Sequence, residues 1–165
     1  CGGPFEITSL DAERLRRGAR RLAEGDPTAA RALTRRAHKQ WEELSRTFPG
    51  EPSCGRLSDD EEARLAFFSR FEATACPALD EREGRCVLYP FRPLSCRSFG
   101  VPIACGREVL PPCRLNFVGA PPGVVRAAAV DPDPHDRESA LLVRLEEITG
   151  RRGDTIVAAA LACVD

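Results

Sequence analysis

Eight cysteines lie in a chain of 165 residues, and five of them, Cys76, Cys86, Cys96, Cys105 and Cys113, fall within one stretch. Thiols this dense do one of two things. In an oxidising compartment they pair as disulfides, and eight cysteines permit 105 complete pairings. In a reducing compartment their thiolates bind metal, as a closed zinc site or as an iron–sulfur cluster. The spacing is neither a zinc-finger nor a ferredoxin pattern, because the sequence contains no Cys-x-x-Cys pair. Density and placement carry the signal instead. Four thiolates around Zn²⁺ leave a net charge of about −2, so such a centre calls for cations nearby. Arg85 precedes Cys86, Arg97 follows Cys96 and Arg114 follows Cys113. Their guanidinium groups are candidates to offset that charge.

The remaining chemistry-bearing residues give weaker patterns. His38 and His135 are the two histidines, and neither sits in a ligand or acid–base motif. A Cys–His catalytic pair has no local support. No glycine-rich loop stands in the strand–loop–helix setting that cradles phosphate. The acidic run Asp59 to Glu62 reads as helix capping rather than as a catalytic carboxylate pair. Arginines at 14, 16, 17, 20 and 21 form a stripe that reads first as a solvated helix face. A formal net charge of −1 argues against nucleic-acid binding through bulk positive charge. No apolar run approaches the roughly 18 residues a membrane-spanning helix needs.

The elements that must position the thiols follow from periodicity and punctuation. Thr8 with Asp11 fits a capping box, Leu15, Ala19 and Leu22 repeat at helical spacing, and Gly25 is a stop. Asp26-Pro27 opens a second helix, with Ala30, Leu33, Ala37, Trp41, Leu44 and Phe48 on one face. Together they predict a helical hairpin over 8–48. Ser58-Asp59-Asp60-Glu61 opens a third helix over 58–73, with Phe67, Phe68 and Phe71 on its apolar side. From 76 to 119, six prolines and three interior glycines break every long helix. Short strands are expected at Cys86 to Tyr89 and Val101 to Ala104, with one short helix opened by Pro93. Residues 121–163 return to helix, one opened by Pro121-Pro122, one by Pro134, and a buried one from Thr155 to Cys163. The expected fold is mainly α with a short irregular Cys-rich α+β segment. A helical hairpin and C-terminal helices surround a clamped loop region, in a single domain over 1–165.

Within the Cys-rich stretch three blocks occur in order: Cys76-Pro77-Ala78-Leu79-Asp80, Gly84-Arg85-Cys86-Val87-Leu88-Tyr89, and Arg92-Pro93-Leu94-Ser95-Cys96-Arg97-Ser98-Phe99-Gly100. They resemble the YkgJ-like cysteine-cluster family, whose pattern runs Cys-Pro-x-Leu-Asp, Gly-x-Cys-x-Ile-Tyr and Arg-Pro-x-x-Cys-Arg-x-Phe. The match covers about 25 residues and fixes three cysteines with the Pro, Tyr and Arg-Pro between them. Leu110-Pro111-Pro112-Cys113-Arg114 looks like a further block of some members. The family is described as zinc- or iron-chelating, so the resemblance implies metal ligands at Cys76, Cys86, Cys96 and Cys113. It also implies that Cys1 is the last cysteine of an N-terminal block whose other members lie upstream. Cys54, Cys105 and Cys163 do not match the pattern, and Cys163 reads as a small buried hydrophobe.

These readings combine into an expected cytoplasmic, bacterial metal-binding protein. Cys1, Cys76, Cys86, Cys96 and Cys113 hold zinc or iron, the latter also as an iron–sulfur cluster, in a structural or redox role. No catalytic residue stands out, and any protein partner is unidentified. Flagellin lysine methylases carry a similar cluster domain, but no separate cofactor motif here points to methyl transfer. The rival is a secreted or lipid-anchored disulfide-stabilised binding protein beginning at Cys1, since a processed bacterial lipoprotein starts with its acylated cysteine. A third reading is an interaction module whose surface a metal merely shapes. The chain has no methionine and starts at Cys1, which is read as a sign of upstream residues.

Overall fold

In the computed structural model, which describes residues 2–163, helices dominate and the strands form four two-stranded pairs. Cys1 lies outside the described residues, as do residues 164 and 165. The mainly α class expected from periodicity is the observed one. Strand β1 (Glu6–Thr8) leads into helix α1 (Ser9–Gly25), and α2 (Pro27–Leu44) returns beside it. Thr8 accepts a hydrogen bond from the Asp11 N–H and so caps α1. Asp26 accepts from Thr28 and Ala29 at the start of α2, with Pro27 in the first turn, where its missing N–H costs nothing. These are the residues that punctuation selects.

After a 3₁₀ turn at Ser45–Thr47 come the short hairpin β2 (Gly50–Glu51) and β3 (Arg56–Leu57), then α3 (Glu61–Arg70). Asp60, not Ser58, caps α3, accepting from Ala63 N–H. The Cys-rich stretch contains β4 (Leu79–Asp80) paired with β5 (Arg85–Cys86), and a 3₁₀ turn at Tyr89–Phe91. Helix α4 (Leu94–Ser98) follows, then the hairpin β6 (Ile103–Cys105) with β7 (Glu108–Leu110). The strand expected through Tyr89 therefore ends at Cys86, because Pro90 removes an N–H and seats Tyr89 in the turn. Pro93 does precede a short helix, as expected.

Helices α5 (Pro122–Ala127) and α6 (Arg137–Thr149) bury no residue. Pro134 does not open α6. Asp133 does, accepting the Arg137 and Glu138 N–H groups at 2.9 and 2.8 Å. Gly150 stops α6 in the left-handed conformation. The last strand, β8 (Asp154–Ile156), pairs antiparallel with β1, Ile7 opposite Thr155, and runs into α7 (Val157–Ala162). The expected buried helix from Thr155 is thus a strand followed by a helix with five buried residues.

The core has two lobes joined through α7. In one, Val157, Ala160 and Leu161 meet Leu15 of α1, Leu33 and Ala37 of α2, and Ala78 and Leu88 of the Cys-rich stretch. In the other, Ala158 and Ala159 meet Leu44, Phe48, Leu57 and Phe67. There the Trp41–Phe48 and Phe48–Phe67 rings stand edge to face, with centroids 5.0 and 5.7 Å apart. The alanines let α7 approach α1 and α2 closely, and the bulk is supplied by leucine and phenylalanine from its neighbours.

Gly18 explains how α1 meets the Cys-rich stretch. A glycine inside a helix costs roughly 0.5–1 kcal/mol relative to alanine. Here a Cβ would lie 2.7 Å from both the Cβ and Cγ of Phe91, the root of that side chain rather than its free end. The missing side chain at 18 is what admits the 3₁₀ turn that leads to Cys96.

Candidate functional site

The three thiols of the matched blocks are carried by three different local structures, each tied to the helical body by polar contacts. Cys76 lies on the loop entering β4. Arg36 of α2 donates from Nε to the Pro77 carbonyl at 2.8 Å, and Gln40, one turn on, donates to the Ala75 carbonyl at 2.8 Å. On the other side, Gly3 N–H donates to Thr74 O at 2.6 Å, and Gly2 forms an antiparallel bridge with Ala75. Cys86 ends β5 and faces Leu79 across the hairpin. Cys76 and Cys86 both pack against the first lobe of the core.

Cys96 sits in α4, whose first N–H has no cap from its own neighbourhood, since Pro93 carries no polar side chain. Asp11 of α1 supplies it from 83 residues away: both carboxylate oxygens accept from Leu94 N–H, at 2.9 and 3.0 Å. The capping box expected at Thr8–Asp11 is therefore half formed. Thr8 caps its own helix, and the Asp11 carboxylate caps α4 instead. Ser95 Oγ adds a donor bond to Glu6 O at 3.4 Å, and Phe5 meets Phe99 edge to face at 5.4 Å.

These three thiols share one electrostatic neighbourhood. Burial pushes the Cys76 thiol up to about 11; a backbone hydrogen bond at Ala78 opposes this, and Cys96 and Cys86 reinforce it. Burial also raises Cys86 and Cys96, and Cys86 raises Cys96 further. The cation that lowers both Cys86 and Cys96 is Arg92. It is held over the Tyr89 ring, 3.9 Å from the centroid, and its Nε is buried without an acceptor. Arg36 Nη2, beside Pro77, is likewise buried without one. Arg97, one of the three arginines singled out by sequence neighbourhood, instead donates to the Arg92 and Pro90 carbonyls. Arg92 was legible only as part of the Arg-Pro pair.

Cys113 is half-buried against Gly100, where a Cβ would meet its Cβ at 3.8 Å. Cys1 lies outside the described residues, but Gly2, bonded to it, bridges to the residue before Cys76. Cys54 and Cys105 are exposed, and Cys163 is half-buried against the second lobe of the core. His38 and His135 are both exposed. Among the described residues, no three His, Cys, Asp or Glu side chains are grouped so as to hold a metal ion. No described helix is long and apolar enough to cross a membrane.

The raised Cys76 value has a signed consequence in metal-free protein. Its proton is retained in folded and unfolded chains alike below the ordinary thiol value of 9.0. Between pH 9.0 and about 11 the unfolded chain ionises first, so this contribution to stability, up to about 3 kcal/mol, is lost as pH rises. Urea denaturation of EDTA-treated protein is expected to show falling stability from pH 9 to 11. Iodoacetamide at pH 8 is expected to label Cys54 and Cys105 well before Cys76. Equal labelling rates would contradict the burial of Cys76.

Searches of known protein families, of curated proteins and of solved structures return no match to this chain.

Proposed function

We propose that this chain is a metal-binding cysteine-cluster protein, holding zinc or iron through Cys76, Cys86 and Cys96. What supports the reading is that Cys86 and Cys96 both raise the Cys76 thiol and Cys86 raises Cys96, so that thiols from a loop, a hairpin and a helix act on one another. Two further features support it. Arg92 lowers both the Cys86 and Cys96 thiols, and its buried Nε–H has no acceptor among the described residues, which a thiolate-bound centre would supply. Cys1, joined to Gly2 beside the Cys76 loop, is the fourth ligand of the proposal. With Cys1 as the fourth ligand, a four-thiolate site does not require Cys113.

Bound zinc would fix the loop, hairpin and helix to one another, and an iron–sulfur cluster would add electron transfer. The chain's own residues hold the thiols in place through Arg36, Gln40 and Asp11, and offset their charge through Arg92. Elemental analysis of protein purified without oxygen tests the proposal. About one zinc per chain supports a closed structural site. About two to four irons per chain support a cluster and a redox role. Absence of metal together with thiol titration showing paired cysteines overturns it in favour of a disulfide protein. The family relationship and a reducing, cytoplasmic location belong to the same proposal.

A further inference from the structure

Among the described residues, eleven large apolar side chains are exposed, and six of them fall between 99 and 130: Phe99, Leu110, Leu115, Val118, Val124 and Val130. They belong to one tied substructure. Ile103 pairs with Leu110 in the β6–β7 hairpin, Val130 N–H donates to Pro102 O at 2.9 Å, and Asn116 Nδ2 donates to Gly100 O at 2.6 Å. Leu115 and Val118 stand furthest out, at 78% and 81% exposure. Their loop is held rather than loose. Pro111-Pro112 and Pro121-Pro122 bracket it. Two successive turns close it, Asn116 N–H to Cys113 O at 2.8 Å and Ala120 N–H to Phe117 O at 2.9 Å. Between the two exposed residues, Phe117 is half-buried at φ +56, a conformation that side chains other than glycine seldom adopt. Backbone held there against its preference marks a surface whose shape matters.

Charge says what would cover it. The segment 99–130 carries three exposed arginines, Arg107, Arg114 and Arg126, and one carboxylate, Glu108, with Asp131 just beyond its end. Among the described residues, none of the three arginines has a carboxylate within ion-pair distance. Each lies within three residues of an exposed apolar side chain: Arg107 of Leu110, Arg114 of Leu115, Arg126 of Val124. None of the six apolar side chains lines the cavities beside Cys54, Asp11 or Arg64. They stand on turns, a hairpin and a short helix, which suits a fluid surface that closes around them.

We propose that loop 113–120, with the β6–β7 hairpin and α5, docks on the surface of an anionic lipid bilayer without crossing it. Leu115 and Val118 enter the boundary between headgroups and acyl chains, and the arginines lie at the level of the lipid phosphates. Arginine suits that position because its stem follows apolar surface while its guanidinium bonds phosphate. The proposal needs no metal and no cysteine, so it stands apart from the metal-binding reading.

Co-flotation of the full chain with vesicles tests this, using equal parts of phosphatidylcholine and phosphatidylglycerol, with pure phosphatidylcholine as the comparison. The expected result is binding to the anionic vesicles, roughly tenfold weaker binding to the neutral ones, and loss of affinity with added salt. L115S/V118S is expected to weaken binding by about tenfold or more, and Arg114→Gln several-fold. Leu65→Ser, which changes an exposed leucine on α3 outside the segment, is expected to leave binding unchanged. Circular dichroism of each variant checks the fold. Failure to float with anionic vesicles, or equal binding by wild type and L115S/V118S, overturns the surface. Equal binding to neutral and anionic vesicles removes the arginines from it and equally overturns the proposal. A dimer in size-exclusion chromatography that L115S/V118S converts to monomer, with no vesicle binding, assigns the loop to a second copy of the chain instead.

Discussion

Replacing Cys86 and Cys96 together with serine is expected to reduce bound metal to background while the helical body stays folded. A structural zinc site contributes on the order of 10–16 kcal/mol of apparent binding free energy at neutral pH, and it depends on having all its thiolates. Removing two of them should lower affinity by many orders of magnitude. The body should survive because its core is built mainly from α1, α2, α3, α7 and the β1–β8 pair, with only Ala78 and Leu88 buried in it from the matched blocks. Far-UV circular dichroism should therefore keep its helical signal, while amide exchange speeds up around α4 and the β4–β5 hairpin. Cys113→Ser, by contrast, is expected to keep its metal. Metal content unchanged in the double variant would falsify the ligand assignment, and loss of metal in Cys113→Ser would return that residue to the site.

Asp11→Ala is expected to destabilise the protein by about 2–3 kcal/mol, because it strips the first N–H of α4 of its Asp11 acceptor in a buried setting. Asp11→Asn should behave differently. Its amide oxygen can still accept from Leu94, and it carries no charge to bury. Burial, the largest cause, raises the Asp11 carboxyl above its usual value. A raised carboxyl favours the protonated, folded form, so wild-type protein loses this contribution as pH rises through the folded-state value. The stability of the asparagine variant relative to wild type should therefore increase from acidic to neutral pH. Urea denaturation at several pH values measures both effects. An alanine variant as stable as wild type would show that α4 finds another cap, and a pH-independent difference for asparagine would show that the carboxylate is not ionised under strain.

Local signals in the sequence were informative wherever a single residue type decides the backbone. Asp26-Pro27 and Gly150 mark their helix ends because a short acceptor, a ring or a missing Cβ acts within one turn. The grouping of Cys76, Cys86 and Cys96 was legible only through the resemblance of their flanking blocks, since spacings of ten residues match no metal motif. What positions each of their segments is long-range: Asp11 reaching α4, Arg36 and Gln40 holding the loop, Gly18 admitting Phe91. None has a periodic signature, because each depends on one side chain meeting one distant backbone group. Helix α6 shows the opposite failure. Leu141, Leu145 and Ile148 repeat at helical spacing, yet the helix buries none of them, and Ile148 is 73% exposed. Periodicity reports a helix and an apolar face, not whether anything covers it.

The pairing of β1 with β8 joins residues 6–8 to residues 154–156, and β8 runs directly into the helix on which both lobes of the core close. On the ribosome, α1, α2 and the thiol-bearing segment emerge long before that partner does. Until α7 arrives, the leucines and alanines it covers have no mate, and the contacts that seal the fold are among the most distant in sequence. Between their own synthesis and that of α7, the thiols of the matched blocks sit on a chain whose core is not yet closed. Closure of the body is a non-local event that waits on residues made after every thiol of the matched blocks.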